Sequence, residues 1–154
     1  MDKFQIADQY GQSKVINQLE KIFVNHTLQF NQHYVDKSTV DIDMYVTTPL
    51  GNTYEYNLEA KDRTYTHTAF GGEWLLEESK YNELIAKDGK CFYVNTFSDN
   101  WLAVWDLRNI DITDMRKEWK KLPKSTLDPS RGYSVRPVYY LPIDKACYSA
   151  PFIS

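Results

Sequence analysis

The chain has 154 residues, 42% of them hydrophobic and 15% aromatic, enough for one domain with a real core and too many for an intrinsically disordered chain. A formal net charge of −3 with 18 basic residues is not the footprint of a strongly basic nucleic-acid binder, and it argues against tight non-specific DNA binding in the absence of metal. Cys91 and Cys147 lie far apart, which excludes a Cys-x-x-Cys zinc or redox motif, and with neither a signal peptide nor an apolar run of bilayer length the chain is expected to be cytoplasmic with no membrane partner.

Residues 1–9 read as a short polar lead. From Gln12 to Phe30, the residues Val15, Ile16, Leu19, Ile22 and Phe23 recur at helical spacing, which predicts a helix with Ser13 as a cap. Glu20 is the only acid inside it. Residues 31–38 connect this helix to the stretch that organises the chain, Thr39 to Arg63. Val40, Ile42, Met44 and Val46 alternate with Asp41, Asp43 and Tyr45; Tyr54, Tyr56, Leu58 and Ala60 alternate with Glu55, Asn57, Glu59 and Lys61. Period two means strand, and Pro49 to Asn52 carries turn chemistry. The stretch is an antiparallel hairpin with one apolar and one acidic face.

Residues paired across a hairpin point to the same face, so matching the apolar faces leaves two registers. A three-residue loop sets Asp43 opposite Glu59 and Asp41 opposite Lys61. A loop two residues longer sets Asp41 opposite Glu59. In both, an Asp, a Glu and a Lys converge on one patch, where crowded carboxylates repel unless a cation intervenes. Mg²⁺ suits such a patch, because it takes one or two carboxylates and keeps several waters.

Thr64 to Gly72 reads as a polar loop beside Lys61, with His67 able to meet substrate. Glu73 to Ala86 reads as a second helix, ended by Asp88-Gly89, on which Glu77, Lys80 and Tyr81 could face the patch. Cys91–Phe97 and Trp101–Leu107 read as strands joined at Ser98-Asp99-Asn100. Ile112 to Leu122 is expected to be a short helix capped by Thr113 or Asp114, carrying Arg116, Lys117, Lys120 and Lys121. Pro123 to Gly132 is loop, Val135 to Leu141 an edge strand because of Pro137, and residues 142–154 irregular. No internal repeat or linker divides the chain.

Asp43 (or Asp41) followed by Glu59-Ala60-Lys61 on the next strand resembles the PD-(D/E)XK nuclease superfamily. The order helix, strand, strand, helix, strand, strand agrees with it over roughly residues 10 to 108. The Pro that precedes the first Asp in the family is absent; Ile42 or Val40 stands there. The resemblance implies an α/β, restriction-endonuclease-like fold over residues 1–154, with a central mixed sheet of four to five strands flanked by helices. It implies a Mg²⁺-dependent DNA endonuclease, with Mn²⁺ as a substitute, in which Asp43 and Glu59 hold the metal with the Ala60 carbonyl and Lys61 serves the nucleophile. Asp41 is the alternative ligand, and Glu20, His67, Glu77 and Tyr81 are weaker substrate-side candidates. It also implies a homodimer and a phage or mobile-element origin. The sequence carries no obvious sequence-reading module, so recognition of a junction or flap is expected as readily as of a sequence. The competing expectation is an inactive DNA- or protein-binding module on the same fold. The plainest reading of the three residues is an exposed sheet face with a cross-strand ion pair.

Overall fold

The alternating stretches assemble into a mixed sheet. The computed structural model describes residues 3–33, 41–124 and 129–154. In chain order the elements are α1 (Lys3–Ile22), β1 (Thr27–Gln32), β2 (Ile42–Thr47), β3 (Thr53–Asp62), β4 (Glu73–Glu77), α2 (Glu78–Ile85), β5 (Lys90–Thr96), β6 (Trp101–Asp106), β7 (Arg116–Pro123), β8 (Tyr133–Pro142) and β9 (Tyr148–Pro151). The main sheet runs β1-β2-β3-β5-β6-β9, with β3 and β5 parallel and the other neighbours antiparallel. A smaller antiparallel sheet runs β4-β8-β7. The chain is therefore α/β, with six strands in the main sheet rather than the four to five expected.

Both faces of the main sheet are covered. On one, Val15 and Leu19 of α1 pack on Ile42, Met44, Leu58 and Val94. On the other, Trp74 and Leu76 of β4, Leu84 of α2 and Leu141 of β8 pack on Tyr93, Phe97 and Trp105. The second layer lies over the face that carries the acids, which is why Glu59 is buried and not on an open sheet surface.

The hairpin, the turn at Pro49 to Asn52, β5, β6 and the Asp88-Gly89 stop all form where the pattern puts them. Gly89 sits at φ +88°, and a Cβ there would meet the Glu55 carbonyl at 2.8 Å. Elsewhere the structure differs. Residues 3–9 belong to α1, which ends at Ile22, and Thr27–Gln32 is a strand, because Leu28 and Phe30 alternate with polar neighbours and pair with β2. Glu73–Glu77 is a strand with Trp74 and Leu76 inward, not the first turn of a helix. Only Ile112–Asp114 is helical, as one 3₁₀ turn capped by Asp111, whose carboxylate accepts the Thr113 N–H at 3.1 Å. Arg116–Pro123 is a strand that gains its order from β8. That β8 is central and not an edge is compatible with Pro137, since β4 reaches only as far as Val138 and asks nothing of the missing N–H. Residues 142–154 include the 3₁₀ turn Ile143–Lys145 and β9, which extends the main sheet. Thr39, Val40 and the rest of the expected connector from 34 onward lie outside the described residues, as do residues 125–128 of the expected loop. Among the described residues no helix is long and apolar enough to cross a membrane.

Candidate active site

Loop length fixes the geometry. Residues 48 to 52 join β2 to β3, closed by the Thr48 N–H to the Asn52 carbonyl at 2.8 Å, and Ile42 pairs with Leu58 and Asp43 with Asn57. This is the longer of the two registers, so Asp41, not Asp43, comes opposite Glu59. The Asp41 N–H donates to the Leu58 carbonyl at 3.1 Å, and its carboxylate stands in for a strand carbonyl by accepting the Ala60 N–H at 2.9 Å. A strand residue's N–H and C=O point the same way, so the Ala60 carbonyl points to this same edge. Asp43 shares the face one pair further on, where His33 Nε2 lies 3.0 Å from its carboxylate.

Glu59 is 3% exposed. Its Oε1 lies 3.8 Å from Lys61 Nζ and its Oε2 3.6 Å from Lys80 Nζ. Those are ion-pair distances, too long for hydrogen bonds, and Oε2 is buried without a hydrogen-bond partner. Burial, and after it the charge of Asp41, push the Glu59 carboxyl from 4.5 up to about 7, against the pull of Lys61 and Lys80. The Lys61 side chain is half exposed. Its ammonium is held above the ordinary lysine value: desolvation opposes the charge, and Glu59, Tyr93 and Asp41 outweigh it.

Because the folded-state carboxyl binds its proton more tightly than the unfolded one, its stabilising contribution is present at low pH and lost as the pH rises from 4.5 through about 7. Metal-free protein should lose about 1–3 kcal/mol of stability between pH 5 and 8 through this group. Melting curves across that range should show a smaller loss for Glu59→Gln, and identical slopes for the two proteins would contradict the assignment.

Arg63, next on the same face after Glu59 and Lys61, ties the site to its surroundings. It donates to Asn95 Oδ1 at 2.6 Å, to the Tyr93 hydroxyl at 2.8 Å and to the Leu75 carbonyl at 3.0 Å. These bonds join β3 to β5 and β4 and hold the strand end that carries Lys61. Arg63 and His33 were both missed by sequence reasoning; strand parity would have found the first, and the alternation of residues 27–32 the strand that delivers the second.

Lys80 of α2 reaches the site. Glu77 does not: it lies in β4, not on a helix face with Tyr81, and pairs with Arg136 at 3.1 Å. Tyr81 packs edge-on against Tyr139, ring centres 5.7 Å apart. His67 turns to Asp99, with Nδ1 2.5 Å from Oδ2, and stacks on Trp101 at 3.8 Å. Glu20 is exposed on α1, well past the turn where Lys14 meets Asp62 at 3.1 Å beside the end of β3.

Among the described residues no three His, Cys, Asp or Glu side chains form a ready-made metal cage. The donor set at hand is two carboxylates and a carbonyl. A buried oxygen with no hydrogen-bond partner, beside a second carboxylate, fits a hard cation that brings its own waters. No protein-family model, curated protein or solved structure matches this chain.

Proposed function

We propose that the chain is a Mg²⁺-dependent DNA endonuclease with a restriction-endonuclease-like fold, of the PD-(D/E)XK kind. One observation carries the reading: Asp41, just past the last β2–β3 pair and bonded to Leu58 and Ala60 on either side of Glu59, sets its charge beside the Glu59 carboxylate, whose Oε2 is buried without a hydrogen-bond partner, and Lys61 of the same Glu-x-Lys run lines the site with its side chain half exposed. The parallel β3–β5 pair, whose crossover holds α2, is compatible with it, while β1 and β4 add two strands to the expected helix, strand, strand, helix, strand, strand order. Asp41, Glu59 and the Ala60 carbonyl would hold the metal. When bound, Mg²⁺ would lower the pKa of a bound water and stabilise charge on the phosphate. Asp41 is oriented by the Ala60 N–H, and Glu59 by its buried position between β2 and β5. Lys61 offers a fixed positive charge where the scissile phosphate and attacking oxygen would meet. A junction or flap is as good a substrate as a sequence.

Lys80 favours a second reading, a catalytically inactive DNA- or protein-binding module. With Lys61 it sets a second ammonium against Glu59, although Lys80 is shared with Glu83 at 3.5 Å, so the buried carboxylate is partly neutralised without a cation. Calorimetric titration with Mg²⁺ and Mn²⁺ separates the two. The nuclease reading expects metal uptake, with protons released near pH 7 as Glu59 ionises and affinity falling as the pH drops below that value. No uptake of either metal would favour the binding module.

A further inference from the structure

Charge is unevenly spread along this chain. Residues 116–136 carry seven of the 18 Lys and Arg but only two of the 21 Asp and Glu, a net +5 in a chain of net −3. That stretch contains β7, the turn after it and the first part of β8. Because β4 pairs with β8 only from Val138 to Pro142, the pairs from Trp119–Pro137 to Pro123–Tyr133 extend beyond the small sheet as a two-stranded ribbon. Three of its cations are already neutralised: Arg116 by Glu73 and Glu118, Lys117 by Glu78, and Arg136 by Glu77. Lys120, Lys121 and Lys124 are exposed and have no carboxylate partner among the described residues. Lys120 and Lys121 are consecutive in a strand, so they point to opposite faces of the ribbon. Beside Lys121 the ribbon holds large apolar side chains in water, with Trp119 70%, Val135 60% and Tyr133 54% exposed.

We propose that the β7–β8 ribbon is a duplex-DNA-binding arm that enters the major groove, with lysines on both of its faces meeting the phosphates on either side and Trp119 packing against the groove. The proposal rests on the nucleic-acid reading of the carboxylate site and adds where the duplex is held. Cations on both faces suit a ribbon lying between two rows of phosphates; a ribbon lying flat on one row needs them on one face only. The B-form major groove, about 12 Å wide, admits a two-stranded ribbon, whereas that of A-form RNA is deep and too narrow. Edge-strand lysines also discourage edge-to-edge pairing, but that role does not call for an exposed Trp beside them. Arm and site meet on one helix: Lys117 and Tyr139 hold Glu78 at the start of α2, and Lys80 of the same helix reaches Glu59.

The test is fluorescence anisotropy with a labelled 20-base-pair DNA duplex, without metal, at several salt concentrations. The full chain is compared with the triple variant Lys120→Ala, Lys121→Ala, Lys124→Ala and with Trp119→Ala, melting temperature confirming that each is folded. The triple variant should bind at least about tenfold more weakly, and its log K against log salt slope should be shallower by roughly 2–3. Trp119→Ala should weaken binding with the slope unchanged, and the same sequence as an RNA duplex should bind less well than DNA. Unchanged affinity and slope in the triple variant would overturn the arm, as would binding to phosphatidylserine vesicles with none to the duplex. Cleavage in Mg²⁺ separates the two ideas. If the lysines govern duplex binding but nothing is cleaved, the arm stands and the nuclease reading falls. If DNA is cleaved and the triple variant binds as the native chain does, the arm falls alone.

Discussion

Asp41→Asn is expected to lower Mg²⁺-dependent cleavage by about a hundredfold or more, the scale on which a metal site loses activity when an acid that orients it is removed. The amide oxygen of the new side chain can still accept the Ala60 N–H, now held at 2.9 Å, so the strand edge should stay intact. Asp43→Asn should cost less than about tenfold, since its carboxylate meets His33 and stands opposite Asn57, not Glu59. Single-turnover cleavage by the two variants, side by side, checks the order. Greater loss in Asp43→Asn would mean that the acid at 43 does the chemistry despite the register.

Lys61→Met is expected to lower turnover by about 10²–10³, as when one preorganised electrostatic group is removed. Methionine keeps most of the aliphatic stem and loses the ammonium. The side chain is half exposed and its contact with Glu59 is long, at 3.8 Å, so the pair should contribute only about 0–1 kcal/mol to stability. Metal should still bind, because the carboxylates of Asp41 and Glu59 both remain. Calorimetry, melting and cleavage on one preparation distinguish this from a structural role, in which cleavage persists and the melting temperature falls.

The acids, the Glu59-Ala60-Lys61 run and the shared face were legible because parity alone fixes them. The choice between Asp41 and Asp43 was not, because both lie on the same face and only loop length separates the registers. Lys80 depended on where α2 begins, and the apolar run from Trp74 fits a strand and a helix turn about equally well until β8 supplies its partner. The same ambiguity hid β7. Its lysines look like a solvated helix face in sequence, yet the strand is fixed by its pairing with β8 and buries little of itself. Burial of Glu59 was invisible for a related reason, since the layer that covers it comes from β4, α2 and β8, all distant in sequence.

Incubation of the native chain and Glu59→Gln with linear, single-stranded, flapped and four-way DNA, in Mg²⁺ and in a chelator, tests the central claim most directly. The carboxylate site predicts cleavage of at least one of these DNAs by the native chain in Mg²⁺, none in the chelator, and none by the folded Glu59→Gln variant. Cleavage that survives Glu59→Gln, or that proceeds equally well without metal, would contradict it.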